Sequence, residues 1–282
     1  MTSALLIRIL TGAALFALLL AVGLRLTWSE VTTAVRQSRF TAILLLNFLF
    51  VPAVTVAVIW TLKPPAPVAT GMILLAAAPF APMVPIFARL ARADLALAAG
   101  LTALFPFFSV ILTPLVCVLC LRAVPQAGEL RFNFPVILGL LVATITVPLG
   151  AGLALRHWRR AVAEKLLHPI ELLSQIVGAL ALAFVVVNEF KTVLSLNWQP
   201  LITMAVLTEF CLWCGYAVGG TTPGPRQTVA LGTACRNLAL AVLIAVSSFA
   251  GTPVVGAVVV NGLLFILLSL AHVAWWRYLR NK

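Results

Sequence analysis

Apolar residues run along this chain in long blocks, and the polar residues are gathered into short stretches between them. Charges, prolines and glycines mark the ends of nine blocks, and each block has about the 20 residues that a helix needs to cross a bilayer. The blocks are residues 4–24, 40–62, 67–90, 94–121, 134–155, 169–190, 199–219, 227–249 and 253–277. This pattern predicts an all-α integral membrane protein with about nine transmembrane helices, forming one membrane unit over residues 1–282.

Composition supports the same class of protein. Of the 282 residues, 63% are hydrophobic and 9% are charged, and the mean hydropathy is +1.14, outside the range of soluble domains. The formal net charge of +12 comes from short basic clusters between the blocks, without the aromatic platforms of nucleic-acid-binding surfaces. We therefore expect the lipid bilayer, and no nucleic acid, as a partner, while the oligomeric state stays open.

The basic residues also predict an orientation. An odd number of spans places the two termini on opposite sides of the membrane. With the C-terminus in the cytoplasm, thirteen Lys and Arg residues fall on the cytoplasmic side and five on the outer side, as the positive-inside rule requires. We expect a multi-pass protein of a bacterial inner membrane with its N-terminus outside. The nineteenth basic residue, Arg236, belongs to neither side.

The third block contains a cluster of prolines. Its sequence, GMILLAAAPFAPMVPIFARLAR, places Pro79, Pro82 and Pro85 within seven residues, and each proline lacks the amide donor that a continuous helix needs. Unwound backbone at membrane depth is tolerated where protein or a water-filled cavity satisfies the freed groups. A break that lines a functional cavity is the favoured interpretation, and a buried proline kink is the alternative.

The eighth block is interrupted by a short polar sequence. Gly232, Thr233, Arg236 and Asn237 lie together in GTACRN, inside an otherwise apolar run. If one helix is missing at the start, both interrupted blocks become the fourth helix of a five-helix unit, and two such units have opposite orientations in the membrane. Interrupted segments at matching positions of an inverted repeat point to the binding site of a transporter.

Several stretches resemble a known family. LLLAVGLRLTWSEVTTAVRQSR, NFLFVPAV and the run from GMILLAAAPFAPMVPIFARLAR to SVILTPL look like the first half of the bile acid/sodium symporter superfamily. CRNLALAVLIAVSSFAGTPVVGAVVVNGLLF looks like its last two helices. The LARADLAL turn and SVILTPL are the most specific pieces, and the similarity covers almost the whole chain.

The resemblance implies a panel of helices beside a core in which two broken helices cross at mid-membrane. The panel would contain residues 4–24, 134–155 and 169–190. The core would contain residues 40–62, 67–90, 94–121, 199–219, 227–249 and 253–277.

The sodium sites of that family do not carry over well. Val84 and Pro85 replace its usual Ser-Asn pair, and Gly232 and Arg236 stand where it has a Glu and a Gln. Sodium prefers several oxygen ligands with a carboxylate among them, so these replacements argue against two-sodium coupling. We expect no metal site and no cofactor. The remaining oxygen-bearing positions are Thr102, Asn237 and Asn47.

Arg236 needs an anionic partner, because a guanidinium stays charged and an unpaired charge near the bilayer centre costs several kcal/mol. One interpretation is a structural ion pair with Glu209, the only other charge so deep in a span. A second is that the substrate itself is the anion, bound at the crossover where helix N-termini add positive potential. A third lets substrate or a proton on Glu209 compete for the arginine, which gives proton coupling.

The favoured function is secondary transport of a small organic anion by alternating access, without the usual two-sodium coupling. The alternatives are a sodium-independent uniporter, exporter or proton-coupled carrier, a sodium-coupled bile acid or organic acid symporter, and a non-transporting membrane sensor or subunit. No HExxH motif, intramembrane Asp pair or Ser/His dyad occurs in the spans, so no enzyme and no catalytic residue is expected. The predicted substrate-binding residues are Pro82, Thr102, Thr233, Arg236 and Asn237. The predicted ion-coupling or charge-partner residues are Asn47, Glu209 and Arg236.

Overall fold

The computed structural model describes residues 3–26, 39–124, 132–195 and 197–280. Within these ranges the regular structure is helical, and no strand occurs in them. The helices are α1 (Ser3–Arg25), α2 (Phe40–Leu62), α3 (Ala66–Ala76), α4 (Val84–Leu90), α5 (Leu95–Ala123), α6 (Phe134–Trp158), α7 (Arg160–Asn188), α8 (Phe190–Ser195), α9 (Trp198–Val218), α10 (Pro223–Ala234), α11 (Leu238–Ser248) and α12 (Val254–Arg280).

Eight segments of the described chain are long and apolar enough to cross a membrane, with α10 and α11 counted together as one. The all-α integral membrane class is therefore confirmed. The predicted number of spans differs at the third block, which is divided between α3, with 11 residues, and α4, with 7. Neither piece alone has the length of a membrane span.

The helix α7 begins earlier than predicted, at Arg160 rather than at residue 169, and includes Pro169. An ion pair between Arg160 and Glu164, four residues apart on the same helix face, supports the first turns of this helix. Arg156, at the end of α6, contacts the same Glu164 carboxylate. The polar stretch between the fifth and sixth predicted blocks is thus largely helical.

Three of the basic residues that predicted the orientation, Arg36, Arg131 and Lys282, lie outside the described residues. Residues 27–38, which belong to the first of the stretches that resemble the family, also lie outside them. The orientation of the termini stays a prediction.

The helices α1, α6 and α7 pack closely against one another. Glycines allow the closest approach: a Cβ atom on Gly152 of α6 would lie 2.6 Å from the carbonyl oxygen of Leu20 in α1, and one on Gly23 would overlap the carbonyl oxygen of Leu149. An ion pair between Arg25 and Glu171 joins α1 to α7. These three helices are the predicted panel, and the division into panel and core stays a prediction.

The remaining long helices surround the two broken ones. Contacts join α3 to α12, α9 to α10, and α4 to both α5 and α10. The chain order is the same in both halves, since α3 and α4 precede the long helix α5 as α10 and α11 precede the long helix α12. The two interruptions predicted from the sequence are therefore both present, and each stands before an uninterrupted helix.

Candidate functional site

The first break separates α3 from α4 and spans residues 77–83. The residue before a proline is driven out of the helical region of backbone space, so Pro79 ends the helix shortly after Ala76. Phe80 adopts a left-handed backbone conformation, with φ of 53°, which is strained for a bulky residue. Pro85 occupies the first turn of α4, where its missing amide hydrogen is not needed.

The second break separates α10 from α11 and consists of Cys235, Arg236 and Asn237. The side-chain oxygen of Asn237 accepts a hydrogen bond of 3.1 Å from the backbone N–H of Leu240. This bond caps the N-terminus of α11, where the first amide groups have no partner within the helix. Asn237, which we predicted to bind substrate, is thus the N-cap residue of the helix that follows the break.

The two breaks are joined by a pair of backbone hydrogen bonds. The N–H of Ala81 donates to the carbonyl of Cys235 at 2.8 Å, and the N–H of Asn237 donates to the carbonyl of Ala78 at 2.7 Å. Each break therefore satisfies a donor and an acceptor of the other, as buried backbone away from water requires. The crossover of two broken helices is thereby confirmed.

Phe80 fills the space beside the second break. Its ring stacks on Phe105 of α5 with the ring centroids 4.2 Å apart, and it is almost completely buried. A Cβ atom on Gly232 of α10 would overlap the edge of the same ring. No side chain larger than hydrogen fits at position 232 unless Phe80 moves.

Arg236 points into the interior of the protein, where 5% of the residue is exposed. Its Nη1 donates a long hydrogen bond of 3.4 Å to the carbonyl of Ala76, at the end of α3. Its Nη2 has no hydrogen-bond partner among the described residues, and the Cys211 thiol of α9 lies beside the guanidinium. The two groups placed against the guanidinium, the Ala76 carbonyl and the Cys211 thiol, are therefore both neutral.

A cavity of about 20 Å³ adjoins Arg236. Its walls come from α2, α3, α9, α10, α12 and the second break, and its polar lining includes Thr208, Cys211, Arg236 and Asn261. The residues that line it all lie outside α1, α6 and α7. Arg236 is thus directed away from the predicted panel.

Glu209 does not pair with Arg236, and the predicted structural ion pair is wrong. The Glu209 carboxylate lies 3.4 Å from Nε2 of His272 in α12. Successive residues of a helix point about 100° apart, so Thr208 lines the cavity beside Arg236 while Glu209 faces α12. The side chain of Glu209 is also 35% exposed, in contrast to the buried arginine.

Asn47 and Thr233 lie together. The side-chain amide of Asn47 donates to the hydroxyl of Thr233 at 3.3 Å and to the carbonyl of Ile43 at 2.9 Å. Asn47 lies in a π-helical turn of α2, residues Leu46–Phe50, before Pro52, whose missing amide interrupts the regular helical bonding. The carbonyl oxygen of this buried side chain has no partner in the described chain.

The other candidates are more dispersed. Thr102 of α5 is buried, and its hydroxyl has no hydrogen-bond partner in the described ranges. Pro82 lies half-buried within the first break. Thus the structure brings Asn47 and Thr233 into contact and places Asn237 in the crossover, whereas Glu209 belongs to a different pair.

Sequence reasoning missed three residues of the site: Cys211 and Asn261, which line the cavity beside Arg236, and Phe80, which covers Gly232. Asn261 offered a signal, because an amide inside the apolar run VVVNGLLF is expensive in a membrane unless it serves a function. Cys211 and Phe80 offered no such signal in the sequence, because thiols and aromatic rings are common in apolar spans.

A family model, the sodium bile acid symporter family, matches residues 13–196. The chain belongs to this family. No curated protein matches the sequence. The matched residues include α2 to α7 and the first break, and the second break with Arg236 follows beyond them.

Membership of the sodium bile acid symporter family supports a multi-pass membrane transporter of the bile acid symporter kind. Members of the family are transporters rather than enzymes. The crossover of the two broken helices is the part of this fold that inverted-repeat transporters use for binding. We therefore regard the crossover, with Arg236 beside it, as the candidate functional site.

Proposed function

We propose that the protein is a secondary transporter that moves a small organic anion by alternating access, with the fixed charge of Arg236 replacing coupling to two sodium ions. The observation that carries this proposal is the buried guanidinium at the helix crossover. Its charge is permanent at any physiological pH, and it is supplied by the chain rather than by a dissociable ion.

Electrostatics opposes a sodium ion beside Arg236. Two unit positive charges 4 Å apart repel by about 4 kcal/mol at an effective dielectric constant of 20. The carboxylate of Glu209, at the middle of α9, contacts His272 and so does not offset this repulsion. Gly232 offers no side-chain oxygen ligand, and the ring of Phe80 covers it.

The positive charge at the crossover supports an anionic substrate. Since the guanidinium faces a small cavity away from α1, α6 and α7, we assign to it a long-range electrostatic role rather than direct contact with the whole substrate. Pro82, half-buried in the first break, is the candidate for direct contact from the crossover.

Uptake by reconstituted vesicles tests the proposal. Purified protein would be placed in proteoliposomes with a panel of radiolabelled organic acids, and uptake compared under inward gradients of sodium, potassium and protons. We expect uptake of at least one acid at the same rate in sodium and in potassium.

Two results would contradict the proposal. Uptake stimulated by a sodium gradient would show that coupling to sodium persists despite Arg236. Absence of flux for every acid under every gradient, with protein shown to be folded, would support a sensor or subunit instead of a transporter.

A further inference from the structure

The charge of Arg236 has no counter-charge in the described part of the chain. Its Nη2 has no hydrogen-bond partner there, and Nη1 reaches a backbone carbonyl at 3.4 Å. The neighbouring Cys211 thiol does not neutralise it, because a free thiol is mostly protonated at neutral pH. An isolated buried cation is so unfavourable that buried charges are normally paired.

The neighbouring cavity has the size of a single small ion. Its volume is about 20 Å³, and a cavity of roughly 10 to 15 Å³ already accommodates one water molecule. An organic anion would exceed this space with any atom beyond its charged group. The size therefore favours an inorganic, monovalent anion.

The cavity walls suit such an ion. Arg236 lines it with a guanidinium that has no anionic partner among the described residues, and Asn261 of α12 brings a side-chain amide that can donate hydrogen bonds. The N-terminus of α11 begins two residues after Arg236 and adds positive potential. The remaining lining is largely apolar, and electrostatic attraction is stronger in such surroundings than in bulk water.

We propose that the core of the protein holds a small inorganic anion of the chloride class in the cavity between Arg236 and Asn261. The anion is an exchangeable counter-ion. While it is bound, it offsets the charge of the guanidinium and ties α12 to the crossover, and when it leaves, that charge can attract another anion. This proposal does not depend on the proposed function, since a sensor with the same fold would need the same counter-charge.

Thermal unfolding of the purified full-length protein in detergent tests the site. Chloride would be exchanged for gluconate, which is too large for the cavity, at constant pH and ionic strength, and then titrated back. A ligand that binds only the folded state stabilises it in a saturable manner. We expect a saturable rise of the unfolding midpoint by about 5 °C, reproduced by bromide.

Variants identify the site of the effect. Arg236→Gln should abolish the difference between chloride and gluconate, whereas Glu209→Gln, a change on α9 at a carboxylate that pairs with His272 and does not line the cavity, should retain it. If Arg236→Gln does not fold, anomalous scattering from bromide-soaked crystals of the unmodified protein should place one peak in the cavity between Arg236 and Asn261.

The proposal fails if the unmodified protein unfolds at the same temperature in chloride and gluconate, or if Arg236→Gln keeps the full chloride response. It also fails if bromide scatters only at the protein surface. If the unmodified protein transports no organic acid but still shows the chloride response, the result counts against the proposed function and leaves the anion site standing.

Discussion

The ring of Phe80 occupies the space into which any side chain at Gly232 would project. The two residues belong to different broken helices, and their contact fills the crossover on the side of α5, where Phe80 stacks on Phe105. Close packing of this kind tolerates little added volume.

Gly232→Ala should therefore destabilise the protein. A methyl group would lie 2.8 Å from Cδ1 of Phe80 and closer still to the outer ring carbons, so the ring must move against Phe105. We expect a loss of about 1 to 3 kcal/mol, measured as a lower thermal midpoint in detergent. Gly139→Ala is the matched control, since a Cβ on Gly139, also helical, meets nothing within 4 Å. Equal midpoints for the two variants would contradict the packing described.

Asn237→Ala should remove the cap of α11. The side-chain oxygen accepts from the N–H of Leu240, and loss of such a cap costs about 0.5 to 2 kcal/mol. Asn237→Ser, which restores an acceptor of suitable length, should recover most of the stability. If Asn237→Ser is as unstable as Asn237→Ala, the residue acts through another contact.

Glu209 and His272 should be coupled energetically, while Glu209 and Arg236 should not. A double-mutant cycle over Glu209→Gln and His272→Gln is expected to give a coupling of about 1 kcal/mol or less, because the carboxylate is partly exposed. The cycle over Glu209→Gln and Arg236→Gln should be additive within about 0.5 kcal/mol. Strong coupling in the second cycle would restore the ion pair that the structure contradicts.

Gly152→Ala should weaken the packing of α1 against α6. The added Cβ would lie 2.6 Å from the carbonyl oxygen of Leu20, so the two helices must separate. We expect a reduced yield of monodisperse protein by size-exclusion chromatography. Gly150→Ala, on the same helix with nothing within 4 Å of the added atom, should behave like the unmodified protein.

The span boundaries could be predicted from the sequence because hydropathy and proline positions act locally. Pro79, Pro82 and Pro85 forbid a continuous helix wherever the segment lies, and the structure breaks the helix there. The start of α7 was misplaced because the Arg160–Glu164 pair extends the helix through a polar stretch.

The sequence could not predict which residue faces Arg236, for a geometric reason. Glu209 was chosen as the partner because it lies deep in a predicted span. Whether Thr208 or Glu209 faces the arginine depends on the rotation of α9 about its axis, and that rotation depends on all the contacts of the helix. The capping role of Asn237 could have been predicted from the sequence, because an Asn immediately before an apolar run is a common helix start.

The two backbone hydrogen bonds between the breaks have a consequence for the response to membrane potential. Because Ala81 and Asn237 each bind the opposite break, the two broken helices move together, and the charge of Arg236 moves with them. An elementary charge crossing the full membrane potential exchanges about 2.3 kcal/mol per 100 mV. A carrier that binds dissociable cations loses their charge when it releases them, and it returns without that charge. The charge of Arg236 stays with the protein in both directions of the transport cycle. Under the proposed alternating access, voltage would therefore act on the carrier whenever the anion site beside Arg236 is empty, whereas a counter-ion bound there would cancel the effect.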